Sequence, residues 1–247
     1  MRLMLSGEGP TDLGHWVPMA GGPQFVPGPM AWMVDKLLHR FHTGYSMLSL
    51  MPMDPDSVRY VHKAALVAAT KPGPTLLRGL KFGKGTAFFT RNAEVLGLMA
   101  NGLAVADGVP VIAVLFRDGD GTREVPRSEW QQKVDSMRRG FELVACKTGV
   151  PMVPRPKSEA WMLCALAPPG YTNCAPLEDA PGNDNSPNAL KGRLAAHNDG
   201  IDPTAEEQAD WVESGAVDPE QINMPSFDAF RNDLHAAAQS AGLPKIP

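Results

Sequence analysis

The stretch V111-I-A-V-L-F-R-D-G-D-G-T122 decides how the rest of the chain is read. Six apolar, partly β-branched residues, Val111 to Phe116, read as a long apolar strand. The run stops at Asp118 and Asp120, two acids one residue apart and set among glycines. Upstream, "NAEVLGLMANGLAVAD" has helical spacing and is closed by Gly108 and Pro110. Downstream, "RSEWQQKVDSMRRGFEL" predicts a second helix, with a serine at a plausible N-cap and basic residues in its last turns. The order is helix, strand, acid, helix.

The same order recurs on either side. "MRLMLSGEGPTD" reads as a short strand over 3–6 that delivers Glu8 at a glycine turn. "GVPMVPRPKSEAWMLCAL" reads as an extended segment whose prolines favour a sheet edge, followed by a helix from about Glu159. Between these, residues 17–29 contain many Pro and Gly and predict an irregular insertion. "MAWMVDKLLHRF" predicts a helix, and a further helix is expected over about 56–70.

Strands alternating with helices predict an α/β fold with a mostly parallel sheet flanked by helices. Ligands of such sheets bind beyond the carboxyl ends of the strands. Glu8, Asp118, Asp120 and Glu159 all follow apolar extended segments, so one fold can gather them at a single sheet edge. Carboxylates brought together repel, and a bound divalent cation relieves that repulsion. Oxygen ligands favour Mg²⁺ or Mn²⁺, whose chemistry on phosphates is hydrolysis or phosphoryl transfer.

From about 168 the composition turns to Pro, Asn, Asp and Gly. An acidic helix is then expected around 204–214, and a final amphipathic helix, capped by Ser226, closes near Gly242. We therefore expect a core over 1–170 and a loop-rich, helical extension over 171–247 packed on it.

Charge follows that division: residues 1–174 hold 19 Lys and Arg against 14 Asp and Glu, whereas residues 175–247 hold 4 against 13. A polyanion would meet the first part, and the best local patch is Lys71, Arg78, Lys81 and Lys84 around Phe82, with a solvated loop as the competing reading. Cys146, Cys164 and Cys174 form no CxxC pair and are expected as buried or inert thiols. The six histidines lack HExxH spacing, and the Met-rich "MLSLMPMD" reads as core and loop. With no secretory leader and no apolar run near the roughly 18 residues of a membrane span, a cytoplasmic protein is expected.

"LSGEGPTD", "IAVLFRDGDG" and "RPKSEAWML", in that order, resemble the Toprim domain. They are most similar to the small stand-alone Toprim proteins related to the OLD (overcoming lysogenisation defect) nucleases, and "PSFDAFRNDL" is similar to a C-terminal segment of those proteins. The resemblance implies a metal-dependent nuclease acting on DNA or RNA in a prokaryotic defence system. It implies Glu8 as metal ligand or general base, Asp118 and Asp120 as metal ligands, and Glu159 as the acid of a second metal position. Asp12 stands where many relatives have glutamate, and Lys157 is placed to stabilise charge on the phosphate. The chain has no GxxxxGK[ST] motif, so an ATPase, which larger relatives carry fused, would be a separately encoded partner.

Two other readings compete. "LFRDGDGT" also fits the hhhhDxDGT signature of HAD phosphatases, with Asp118 as nucleophile and Asp120 as acid/base. That motif normally opens its domain, whereas here over a hundred residues precede it and "EGPTD" is left without a role. The other reading is a non-catalytic Toprim subunit that binds an ATPase.

Overall fold

A computed structural model describes residues 1–7, 9, 11–20, 22–69, 87–119 and 127–246. Among them, four strands form an all-parallel sheet in the order β4-β1-β5-β6, where β1 is Arg2–Gly7, β4 Val58–His62, β5 Val111–Phe116 and β6 Gly149–Met152. Leu5 of β1 lies between Tyr60 and Val114 in register, so the strand that ends nearest Glu8 sits beside the strand that ends in Asp118.

Strand alternation sorts side chains to two faces. Leu3, Leu5, Ile112, Val114, Phe116, Val150 and Met152 share a core with α1 (Pro29–Leu38), α6 (Ser158–Leu166), α8 (Ala205–Glu213) and α9 (Pro225–Ser240). Met4, Val111, Ala113 and Leu115 pack under α4 (Ala87–Asp107) and α5 (Arg127–Leu143), with Leu66 of α3 (Lys63–Ala69). All six β5 residues are buried, which is why that strand reads as an unbroken apolar run. The α/β architecture expected from the sequence is thus present, and its sheet is wholly parallel.

Several local expectations are corrected. Residues 17–29 are not irregular throughout: β2 (Gly14–Val17) and β3 (Gln24–Pro27) pair as an antiparallel hairpin, whose alternation places Phe25 in the core. The helix expected over 56–70 is instead β4 followed by α3. Val58 and Tyr60 are buried while Arg59 is exposed, and pairing with β1 overrides the helical reading. Ser226 does not cap α9, because Met224 holds the N-cap position and Pro225 opens the helix. Instead, Ser226 Oγ accepts from Trp161 Nε1 at 2.9 Å, and its N–H donates to Glu178 at 2.6 Å. Cys164 and Cys174 are joined in a disulfide, not left as thiols; the turn over 167–173 folds back and brings them together, and Cys146 is free and buried. Two shorter helices, α2 (Met47–Leu50) and α7 (Leu190–Ala196), are also present. Among the described residues no helix is long and apolar enough to cross a membrane.

The C-terminal segment shares the sheet's core. Val212, Phe227, Phe230 and Leu234 are buried in the same cluster as Leu3 and Leu5. The segment returns to the helical turn His39–Thr43 that follows α1: His42 Nε2 meets His235 Nδ1 at 2.8 Å, His42 Nδ1 lies 3.3 Å from the Pro244 carbonyl, and Ile246 N–H donates to Phe41 O. Burial, with His42, Lys245 and Arg231 nearby, pushes the His235 pKa down to about 4. A depressed histidine contributes stability that is complete above about 6.5 and is lost as pH falls toward 4. Thermal melts of His235→Gln should therefore show a shallower loss of stability between pH 6.5 and 4 than the parent chain.

Candidate active site

The carboxyl ends of β1 and β5 deliver two aspartates to the same place. Beyond β1, the backbone at Asp12 is fixed by Met30 N–H, which donates to Asp12 O at 3.0 Å, and by Gly28 N–H, which donates to Leu13 O at 3.0 Å. A Cβ at Gly28 would lie 2.3 Å from Asp12 O, so this close crossing requires glycine. Beyond β5, Arg117 N–H donates to Met152 O and Gly119 N–H to Pro154 O, each at 3.0 Å, extending the ladder past the strand on both sides of Asp118. A Cβ at Gly119 would stand 2.5 Å from Pro154 O, so glycine is needed here as well.

Alternation turns Asp118 toward α6. Ser158, the first residue of that helix, donates its N–H to Asp118 Oδ1 at 3.1 Å and its hydroxyl to Asp12 Oδ1 at 2.6 Å. Two carboxylates 106 positions apart in sequence are thereby bridged by one serine, and the helix N-terminus favours their negative charge. Both aspartates are half-buried and Ser158 is buried.

Two cations flank the turn. Arg117 is fully buried, with Nη1 donating to Phe116 O at 2.7 Å and its guanidinium 5.8 Å from the Phe88 ring. Lys133 of α5 donates to Gly119 O at 2.9 Å, pairs with Glu129 and lies over the Phe89 ring. Tyr60 completes the surroundings: burial raises its pKa, Arg117 opposes that rise and Asp12 adds to it. The tyrosine therefore sits in the field of both.

Lys157 and Glu159 flank Ser158 in sequence and also meet residues of the C-terminal segment. Lys157 Nζ donates to Asp184 Oδ1 at 2.8 Å, and the charges acting on Glu159 are those of Lys157, Asp184 and Lys191. Glu159 Oε2 is buried without a hydrogen-bond partner among the described residues, and burial raises its pKa. A raised carboxyl contributes stability only at acid pH and loses it as pH climbs through the folded value. Glu159→Gln is accordingly expected to raise the melting temperature at neutral pH, with the gap closing as pH falls into the ordinary glutamate range. Differential scanning calorimetry across that range checks it.

Glu8, Asp120, Lys71, Arg78, Lys81 and Lys84 lie outside the described residues. Among those described, no three His, Cys, Asp or Glu side chains gather into a group able to hold a metal ion; Asp12 and Asp118 form a pair. Asp35, Glu94 and Glu178 are buried acids with structural partners. Asp35 accepts from Ser46, Met47 and Leu48, Glu94 pairs with Arg91, and Glu178 accepts from Ser226 and Arg155.

Sequence reasoning missed Arg117, Lys133, Ser158 and Tyr60. Arg117 had one signal, a charge placed directly between an apolar run and Asp118. Fold and site together define an α/β protein with carboxylates at the carboxyl edge of a parallel sheet. No family model, curated protein or solved structure matches the chain.

Proposed function

We propose that the protein is a divalent-metal-dependent nuclease of Toprim type, hydrolysing phosphodiester bonds in DNA or RNA. The observation that supports it most is the Asp12–Ser158–Asp118 bridge, which joins acids from two strand ends where a parallel sheet binds its ligands. The donors are hard oxygens, a set that suits Mg²⁺ or Mn²⁺. Asp12 and Asp118 would hold the ion, with Glu8 and Asp120 as the other expected ligands. Bound there, it supplies charge neutralisation on the phosphate and a lowered pKa for water.

The chain's own groups prepare the site. Ser158 fixes the direction of both aspartates, so the carboxylates need no reorganisation when the substrate arrives. Arg117 and Lys133 offset the concentration of negative charge on the turn. Ladder bonds on either side of Asp118 hold its Cα in place.

A cytoplasmic setting, a prokaryotic defence role and a separately encoded ATPase partner belong to this proposal through the resemblance. Structural disulfides such as Cys164–Cys174 belong to oxidising compartments, so alkylation in cells followed by mass measurement tests the cytoplasmic setting, which an intact bond would contradict. The function itself is tested by incubating the purified chain with single- and double-stranded DNA and RNA. Cleavage is expected with Mg²⁺ or Mn²⁺, none in EDTA, and a strong loss in Asp12→Asn. Absence of cleavage with either metal overturns the reading for the chain acting alone, and repeating the assay with a separately encoded ATPase from the same genome tests the partner-dependent case.

A further inference from the structure

Beside the aspartate pair, at the carboxyl ends of β1 and β4, lies a hollow of about 290 Å³. The hairpin forms one wall with His15 and Trp16; β4 and the start of α3 form the other with Tyr60, His62 and Lys63; Gly7, the last residue of β1, leads toward the acids. The volume is at the lower end of ligand pockets, about 300 Å³ and upward, and suits a single ring system with its attachments, not a duplex.

Its chemistry is aromatic and basic. Trp16 keeps 43% of its surface exposed, in contrast to Trp32, Trp130 and Trp161, which are buried. The Trp16 indole is 6.5 Å from Tyr60, inclined at 55°. Tyr60 is backed by Phe25, stacked at 4.9 Å and 16°, so the tyrosine ring is held rigidly from behind. His62 stands edge-on to Tyr60 at 6.5 Å. The Ala64 N–H donates to His62 Nδ1 at 3.1 Å, which makes Nε2 the protonated nitrogen of the neutral ring and therefore a donor. His15 and Lys63 add basic groups, and no carboxylate lines the hollow among the described residues. The described lining thus offers a flat π-system bearing a phosphate an aromatic wall and donors.

We propose that this hollow receives one unpaired nucleobase of the substrate strand, its ring against the exposed Trp16 above a floor formed by the buried Tyr60, and its phosphate toward His62 and Lys63. Every base has a π-face, so such a platform tolerates sequence but requires a base that is not stacked within a duplex. Tyr60 joins the hollow to the site, because it pairs in register with Leu5 of β1, the strand whose last residue, Gly7, lines the hollow and leads toward Asp12. A base held there directs the adjoining phosphodiester toward the aspartate pair. The substrate class is accordingly single-stranded nucleic acid, or duplex with flipped, frayed or gapped positions. That assignment rests on the nuclease reading for the chemistry, but not for the binding.

Binding is measured first in EDTA, where no cleavage intervenes, with a short single-stranded oligonucleotide, its fully abasic counterpart and inorganic phosphate as probes. The oligonucleotide should quench tryptophan fluorescence and bind at least 10-fold more tightly than the abasic strand. Trp16→Ala should abolish the quench and that preference, while Trp16→Phe keeps most of the preference. Unchanged melting temperatures confirm that both variants fold. Cleavage is then measured with Mn²⁺ on strands carrying one abasic position, which should suppress cutting at the neighbouring phosphate in the parent chain but not in Trp16→Ala. Equal binding of intact and abasic strands, or an unchanged preference in Trp16→Ala, overturns the assignment. Cleavage indifferent to abasic positions and to pairing would overturn it while the nuclease reading stands. Base-dependent binding through Trp16 without any cleavage would uphold the hollow and remove the nuclease reading.

Discussion

Asp118→Asn is expected to lower metal-dependent cleavage by roughly 10²- to 10³-fold or more, the scale on which removal of a single preorganised electrostatic group acts. The fold should survive, because asparagine retains an oxygen that can accept from Ser158 N–H as Asp118 Oδ1 does. Asp118→Ala removes that acceptor too and leaves the first N–H of α6 without its side-chain partner, a loss of about 1 kcal/mol. The two variants should thus be equally inactive but differ in melting temperature, separating the aspartate's charge from its part in holding the helix. Ser158→Ala gives the complementary result. It keeps the backbone donor to Asp118, loses the hydroxyl to Asp12, and should raise the metal concentration needed for half-maximal rate more than it alters the melt.

Trp161→Ala is expected to cause the largest loss of stability, about 3–5 kcal/mol for the vacated volume alone. Trp161 is fully buried, meets Phe227 edge-on at 4.9 Å and stacks on Phe230 at 5.8 Å. Its indole N–H bonds Ser226, whose hydroxyl would lose that partner in the variant. Against a typical total of about 5–15 kcal/mol, such a loss removes between about a fifth and all of the chain's stability. Denaturant titration reads it as a lower midpoint, and because Trp161 sits one turn beyond Ser158, cleavage should fall before the fold is lost.

What the sequence made legible follows from burial pattern. Strand β5 is buried on both faces and appears as an uninterrupted apolar run, so its end and the aspartate after it were readable directly. The prolines around β6 fit its place at the sheet edge. Strand β4 was hidden because five residues with a half-exposed pattern become a strand only through pairing with β1. The hairpin was hidden by its Pro and Gly content, although those residues only shape its turn and base.

At the site, topology led to the expectation that an acid after β1 would meet Asp118, but Asp12 entered only through the resemblance, and the bridge through Ser158 was not readable. No sequence pattern states which way the first residue of a helix points its hydroxyl. The directions of Lys157 and Glu159 were equally unreadable, since their neighbours Asp184 and Lys191 come from a segment that reads as loop and helix far along the chain. Buried Arg117 ran against expectation for a charged residue, and only its partners in the folded chain account for it.

The central claim is that one ion is shared by acids from the ends of β1 and β5, and a crystal structure of the protein soaked in Mn²⁺, read by anomalous scattering, tests it most directly. The account predicts a manganese peak about 2.0–2.6 Å from carboxylate oxygens of both Asp118 and Glu8. Glu8 and Asp118 carboxylates separated by much more than about 8 Å, with no peak between them, would contradict it.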